Sequence, residues 1–305
     1  MAIIHIDPRQ TQVDLCRFVA QGILRRSRLG EASDSLKQQI QETIGRKAQG
    51  VFLWAHLMLD ILKWQTAEDD IQQCLHVALS GIDDMVTEML KVYSSVLKEK
   101  EHEELKTILA WLLCATRPSR YVELEAALQR LSPTGSKAIS LENRIQGTYA
   151  SLLEIRHDNA VSMTPRSYDN QPVSGDDSTK SESTLVVFVH AAIDEFFQKE
   201  LGKFSWRSTM APLGGVRAEA ELEILRTCLA VLVESGQANC LAASQALQPY
   251  AKESWALHLS SCVNGRVIDA HRGEAAELHL DITNLLYRFL NEEEVLELWC
   301  RDTTW

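Results

Sequence analysis

Leu185-Val-Val-Phe-Val-His190, followed at once by Ala191-Ala-Ile-Asp-Glu-Phe-Phe197, holds the change of period on which the fold of this 305-residue chain turns. The first six residues are a β-branched run that reads as a buried strand. The next seven set Ile193, Phe196 and Phe197 at three- and four-residue steps, which is helical spacing. Upstream, Leu153 to Val161 reads as a partner strand. Between the two, residues 162–183 hold Pro165, Pro172, Gly175 and many Ser, Thr, Asn and Asp, a composition too polar to pack that reads as a mobile hairpin tip or insertion. Three helices precede the strands. Glu101 to Thr116 carries Leu105, Ile108, Leu109, Leu112 and Leu113 and stops at Arg117-Pro118, where proline cannot continue it. Val122 to Leu131 and Ile139 to Leu153 follow, the latter after a Ser132-Pro133-Thr134-Gly135 linker. Helix, helix, helix, strand, strand, helix is the order of a winged-helix module.

Toward the amino terminus, Ile3 to Ile6 reads as a short strand closed by Asp7-Pro8. Asp14 then opens an amphipathic run through Leu15, Phe18, Val19, Ile23 and Leu24. Ser33 or Asp34 can cap a long helix with apolar positions from Leu36 through Ile40, Ile44, Val51 and Leu59 to Leu62. Its second half widens to an almost all-round apolar surface, as a helix buried between others would. Glu68 to Leu79 and Asp83 to Leu97 are shorter helices separated by Gly81. Toward the carboxyl terminus, Pro212, Gly214 and Gly215 mark the clearest boundary. Beyond it lie helices at Glu219 to Glu234, at Pro249 to Cys262 with its proline in the first turn, at Glu274 to Leu290 and at Glu292 to Cys300. No fixed repeat period is present. The expected fold class is mainly α: a helical segment, a winged-helix domain with a small β-hairpin, and a C-terminal helical bundle or the start of a solenoid.

Composition narrows the function. Lys and Arg total 31 against 42 Asp and Glu, a net charge of −11, so the overall field repels phosphate backbones and anionic lipid. Apolar stretches such as Val51 to Leu62 are broken by His56 and Asp60, well short of the ~20 residues of a membrane span. The first residues have no signal-peptide form, so a soluble cytoplasmic protein is expected. Seven scattered cysteines without Cys-x-x-Cys spacing read as reduced core thiols and not as zinc ligands. Gly-x-x-x-x-Gly-Lys-Ser/Thr, Gly-x-Ser-x-Gly, Gly-x-Gly-x-x-Gly and His-Glu-x-x-His do not occur, leaving no cradle for nucleotide phosphates and no nucleophile elbow. No cofactor, no metal and no catalytic residue is expected. Of the histidines, His56 lies in an apolar helix, and His102, His157, His271 and His279 in polar surroundings that suit structural or solvated imidazoles. His190 closes a strand just before a helix, where it can either face something bound or only hydrogen-bond the helix backbone.

Several motifs occur in one order: Gly50-Val-Phe-Leu-Trp-Ala55, Leu79-Ser-Gly-Ile-Asp83, Ile108-Leu-Ala-Trp-Leu-Leu-Cys-Ala-Thr-Arg-Pro118, Glu123-Leu-Glu-Ala-Ala-Leu128, Ser151-Leu-Leu-Glu154, and Val187 to Phe197. Together they resemble the region after the NTPase core in fungal NACHT proteins, the NOD-like (STAND) signal-transducing ATPases. Tyr250-Ala-Lys-Glu-Ser-Trp-Ala-Leu-His-Leu259 is similar to the segment that follows in that family. The resemblance implies that residues 1–65 are a C-terminal remnant of the NACHT module and 66–100 a helical connector. It makes 101–201 a winged helix of the type named after GPI inositol-deacylase, and 216–305 a C-terminal helical region. It also implies that His190 stands where a Met-His-Asp-like motif touches a bound diphosphate, with Ala191 in place of the acidic residue. A sensor there requires an NTPase supplied by a partner or a longer parent chain.

The expected function is a non-catalytic regulatory or scaffold protein working through protein–protein contacts. One alternative is a DNA-binding winged-helix regulator, against which Ile139 to Leu153 offers only Arg144, beside Glu142, as a base. The other is an enzyme or accessory factor of a fungal metabolic pathway, with Trp- and Tyr-containing grooves taking a small molecule.

Overall fold

A computed structural model describes residues 8–77, 81–131, 140–157, 184–201, 217–235, 242–264 and 274–302. Fourteen helices are seen among them, with one small two-stranded antiparallel sheet, so the class is mainly α with a β-hairpin. The described residues fall into two compact units. One holds those up to His102 together with Val189–Glu200; the other holds those of Glu103–Phe188 and the C-terminal helices. The expected strand at Ile3 to Ile6, the polar stretch 162–183 and the break from Lys203 to Gly215 lie outside the described residues.

In the first unit, α1 (Pro8–Arg25) begins well before Asp14, because Pro8 at the first helical position has φ set for a helix and no N–H to leave unpaired. After the single turn α2 (Ser27–Gly30), Ser33 caps α3 (Asp34–Lys47), its Oγ accepting the Leu36 N–H at 3.4 Å. The expected continuous helix from Leu36 to Leu62 is broken. Gln49 (φ 48°) and Gly50 (φ 84°) are both left-handed, and α4 (Phe52–Leu62) starts afresh. That break lets α4 turn its broad apolar surface inward against α1, α3 and α6 (Ile82–Val96). Gly22 permits the α1–α4 approach, since a Cβ there would meet Leu59 Cδ1 at 2.5 Å. α5 (Glu68–Val77) lies on α3, and Lys47 Nζ reaches across to the carbonyls of Leu75 (3.1 Å) and His76 (3.3 Å), satisfying acceptors at its C-terminal end. α10 (Ala191–Leu201) belongs here as well, with Ile193, Phe196 and Phe197 buried and Lys199 paired to Asp83 of α6 at 2.8 Å.

In the second unit, α7 (Glu99–Cys114) runs from its Glu103 onward and ends two residues before Arg117-Pro118 would require it. α8 (Tyr121–Leu131) follows. The expected helix from Ile139 to Leu153 shrinks to α9 (Leu141–Gln146), capped by Ser140 and ended at Gly147. Tyr149 instead folds into tight turns whose carbonyl takes the N–H groups of Leu152 and Leu153, and these feed the strand. β1 (Leu153–His157) pairs with β2 (Thr184–Phe188) in the register Leu153 opposite Phe188 and His157 opposite Thr184. Thr184, Val186 and Phe188 face inward at period two. α11 (Arg217–Ser235) and α12 (Ala242–Asn264) form the largest helix pair, with α8 on α12 and α13 (Glu274–Asn291) on α11, followed by α14 (Glu293–Asp302). Pro249, expected in the first turn of its helix, is interior to α12. Buried Ser244, Leu247, Tyr250 and Ala251 surround it, and this packing carries the helix past the one amide the proline cannot donate.

Candidate functional site

Tyr250, Ser254 and His258 fall four residues apart on α12, so one face of that helix carries a phenol, a hydroxyl and an imidazole in file. All three are buried. The polar file meets the Cys114-Ala-Thr-Arg-Pro118 corner after α7 on one side and Glu221 of α11 on the other. The Thr116 N–H donates to Tyr250 Oη at 3.2 Å, and Oη lies 2.8 Å from His258 Nε2. His258 Nδ1 lies 2.6 Å from Glu221 Oε2, and Thr116 Oγ1 lies 2.6 Å from Ser254 Oγ. The Thr116 N–H donates to the phenol oxygen, and the two ring nitrogens of His258 join that oxygen to the Glu221 carboxylate.

Arg117 closes the corner. Its guanidinium forks onto both oxygens of buried Glu123 (2.6 and 2.9 Å), reaches Glu253 at 3.4 Å and lies 5.1 Å over the Tyr250 ring. The hydrogen bond to Glu123 holds the Arg117 pKa above its ordinary value, in spite of burial. Burial pushes the Tyr250 phenol up to about 12, over the lowering pull of the Thr116 N–H. Burial likewise raises Cys114 to about 12, with Glu221 adding to it, and Cys262 to about 11. The groups nearest the relay are thus a protonated phenol and protonated thiols. With Tyr250, Ser254 and His258 each at most 1% exposed, the relay ties α12 to α11 and to the corner after α7.

His190 is exposed at the head of α10, where its Nδ1 accepts the Ala192 N–H at 3.0 Å and its carbonyl takes Ile193 N–H. It caps the helix. His56 is half-buried, 3.8 Å from Asp60, whose buried carboxylate also takes Arg26 in two hydrogen bonds and Lys63 at 3.4 Å. His102 contacts the Tyr93 carbonyl and His157 the Thr184 hydroxyl. His279 Nε2 is buried without a hydrogen-bond partner among the described residues, and His271 lies outside them. Arg144, the one base of the expected recognition helix, is tied to Glu104 with its side chain 19% exposed. Among the described residues no group of three or more His, Cys, Asp and Glu is placed to hold a metal ion, and no helix is long and apolar enough to cross a membrane.

His258 and Glu221, the core of the relay, were not legible as a pair. They are 37 residues apart, and the only signal was the Tyr250, Ser254, His258 spacing itself, polar where a core helix should be apolar. No family model, curated protein or solved structure matches this chain.

Proposed function

We propose that this chain is a non-catalytic regulatory or scaffold protein of the fungal NACHT type, acting in the cytoplasm by binding a protein partner that supplies the P-loop it lacks. The observation that carries the reading is the surface of α13. Leu280 (63% exposed), Tyr287 (69%) and Leu290 (51%) lie along one side of the helix, while Ile282 and Phe289 take the core. Apolar side chains in such a stripe are what a partner buries. The groups with chemical potential are by contrast engaged with one another in the Tyr250–His258–Glu221 relay and the Arg117–Glu123 fork. Residues 101–201 act in this reading as the winged-helix part of the switch, and His190 is the residue assigned to the nucleotide once the partner brings one.

The test is co-elution with light scattering, using a recombinant NACHT core that ends ahead of the region similar to residues 1–65. A one-to-one complex, weakened by Leu280→Asp with Tyr287→Asp at unchanged Tm, supports the proposal. Absence of a complex at tens of micromolar overturns it. ADP and ATP leave the Tm of the isolated chain where it is; stabilisation by either also counts against the reading.

A further inference from the structure

α4, α5 and α6 line one cavity of about 230 Å³ in the first unit, with Met58 and Ile61 from α4, Gln73, Cys74 and Val77 from α5, and Met85 and Glu88 from α6. The cavity has a structural cause. α5 is held on the far side, where Ile71 and Leu75 are buried and Lys47 of α3 grips its last carbonyls, so its Cys74–Val77 side stands off from α4 and α6. Met58, Ile61 and Met85 are 1–3% exposed and form an apolar floor, and Val77, 63% exposed, forms an apolar rim. Methionine walls adapt their shape to what they contact. A well-packed core leaves few gaps of this size, and an engineered apolar cavity of about 150 Å³ already takes up benzene.

Two features give the cavity a sign. The Glu88 carboxylate, 40% exposed, lines the cavity and among the described residues makes an i, i+3 contact to Lys91 at 3.0 Å. Such a surface pair is weak and readily exchanged. Burial raises the Cys74 pKa, and Glu88 and Asp70 push it the same way, so the thiol stays a neutral wall under a negative field. We infer that this cavity is a binding site for a small amphipathic organic cation, an aryl- or alkylammonium whose apolar body lies on Met58, Ile61 and Met85 while its ammonium meets Glu88. The inference is independent of the proposed NACHT partner.

The chain has six methionines, so a spectrum of the intact protein with 13C-methyl methionine is sparse enough to read Met58 and Met85 individually, each assigned through its Met→Leu variant. Phenethylammonium is titrated against 2-phenylethanol, which keeps the shape without the charge, and ethylammonium, which keeps the charge without the ring. Phenethylammonium should shift the Met58 and Met85 methyls saturably with a Kd of about 1 mM. The alcohol should bind about fivefold more weakly, the worth of one partly exposed ion pair, and ethylammonium should leave both methyls in place. Glu88→Gln, a surface change, should bring phenethylammonium down to the level of the alcohol. No saturable shift at Met58 or Met85 overturns the site, and equal affinity for amine and alcohol, or for wild type and Glu88→Gln, overturns its preference for a cation.

Discussion

Replacing Tyr250 by Phe removes one oxygen and almost no volume, so packing against Trp111, whose ring centroid is 5.0 Å away, is kept and the relay alone is tested. Two groups lose their partner: the Thr116 N–H, 3.2 Å from Oη, and the His258 Nε2, 2.8 Å from it and buried at 1% exposure. An orphaned buried polar group costs about 1–3 kcal/mol, and the N–H of exposed Thr116 is partly rescued by water, so we expect a loss of about 2–3 kcal/mol. For a unit of this size each kcal/mol lowers Tm by about 2–4 °C, which puts the fall at about 4–12 °C by calorimetry. Tyr287→Phe is the control, because its hydroxyl is on a side chain 69% exposed and should change stability by less than about 0.5 kcal/mol. If Tyr250→Phe unfolds within about 0.5 kcal/mol of the parent, the relay does not fasten α12, and the account of the site fails.

Gly22→Ala gains about 1 kcal/mol of helix propensity, but its Cβ would lie 2.5 Å from Leu59 Cδ1, and Leu59 is fully buried. Overpacking of about 1–3 kcal/mol should win, so urea denaturation should show a net loss. Thiol labelling followed by peptide mass mapping should modify exposed Cys300 quickly in the native protein; Cys114, Cys228 and Cys262, buried and with raised pKa values, should react only on unfolding. The Glu234 pKa is lowered by its hydrogen bonds to Arg130 at 2.7 Å, over the opposing effect of burial. A carboxylate with a depressed native pKa adds stability that is complete above the unfolded value of ~4.3 and disappears as pH falls through the native one. The acid limb of stability against pH should therefore be shallower in Glu234→Gln, and an unchanged limb would contradict the pairing.

Helix existence was legible where apolar residues recur at three and four steps, as in Leu105 to Leu113, and the hairpin strands were legible from Leu185 to Phe188. The misreadings share one origin, backbone conformation that periodicity does not encode. Gln49 and Gly50 take left-handed φ inside a run whose apolar spacing continues unbroken, so two helices look like one. Gly147 ends α9 although Tyr149, Leu152 and Leu153 keep helical-looking spacing. Pro249 shows the reverse: a residue that normally ends or begins a helix sits inside one because its neighbours are buried on two sides. The candidate site was half legible. Arg117-Pro118 and the Tyr250 to Leu259 segment were selected as separate motifs, but no local pattern says that Thr116 bonds Tyr250, 134 residues away.

Oil-like surfaces slide, whereas directional bonds index. Because Tyr250, Ser254 and His258 each answer to one named atom across the seam, α12 is locked at a single rotational phase, like a gear tooth in its notch. That phase carries Trp255, one residue past Ser254, into its edge-on meeting with Phe289 and Trp299 at 5.0 and 5.9 Å. A quarter-turn of α12 would break the polar side and the aromatic side together, so α13 and α14 take their bearing from a corner more than 130 residues upstream in the chain.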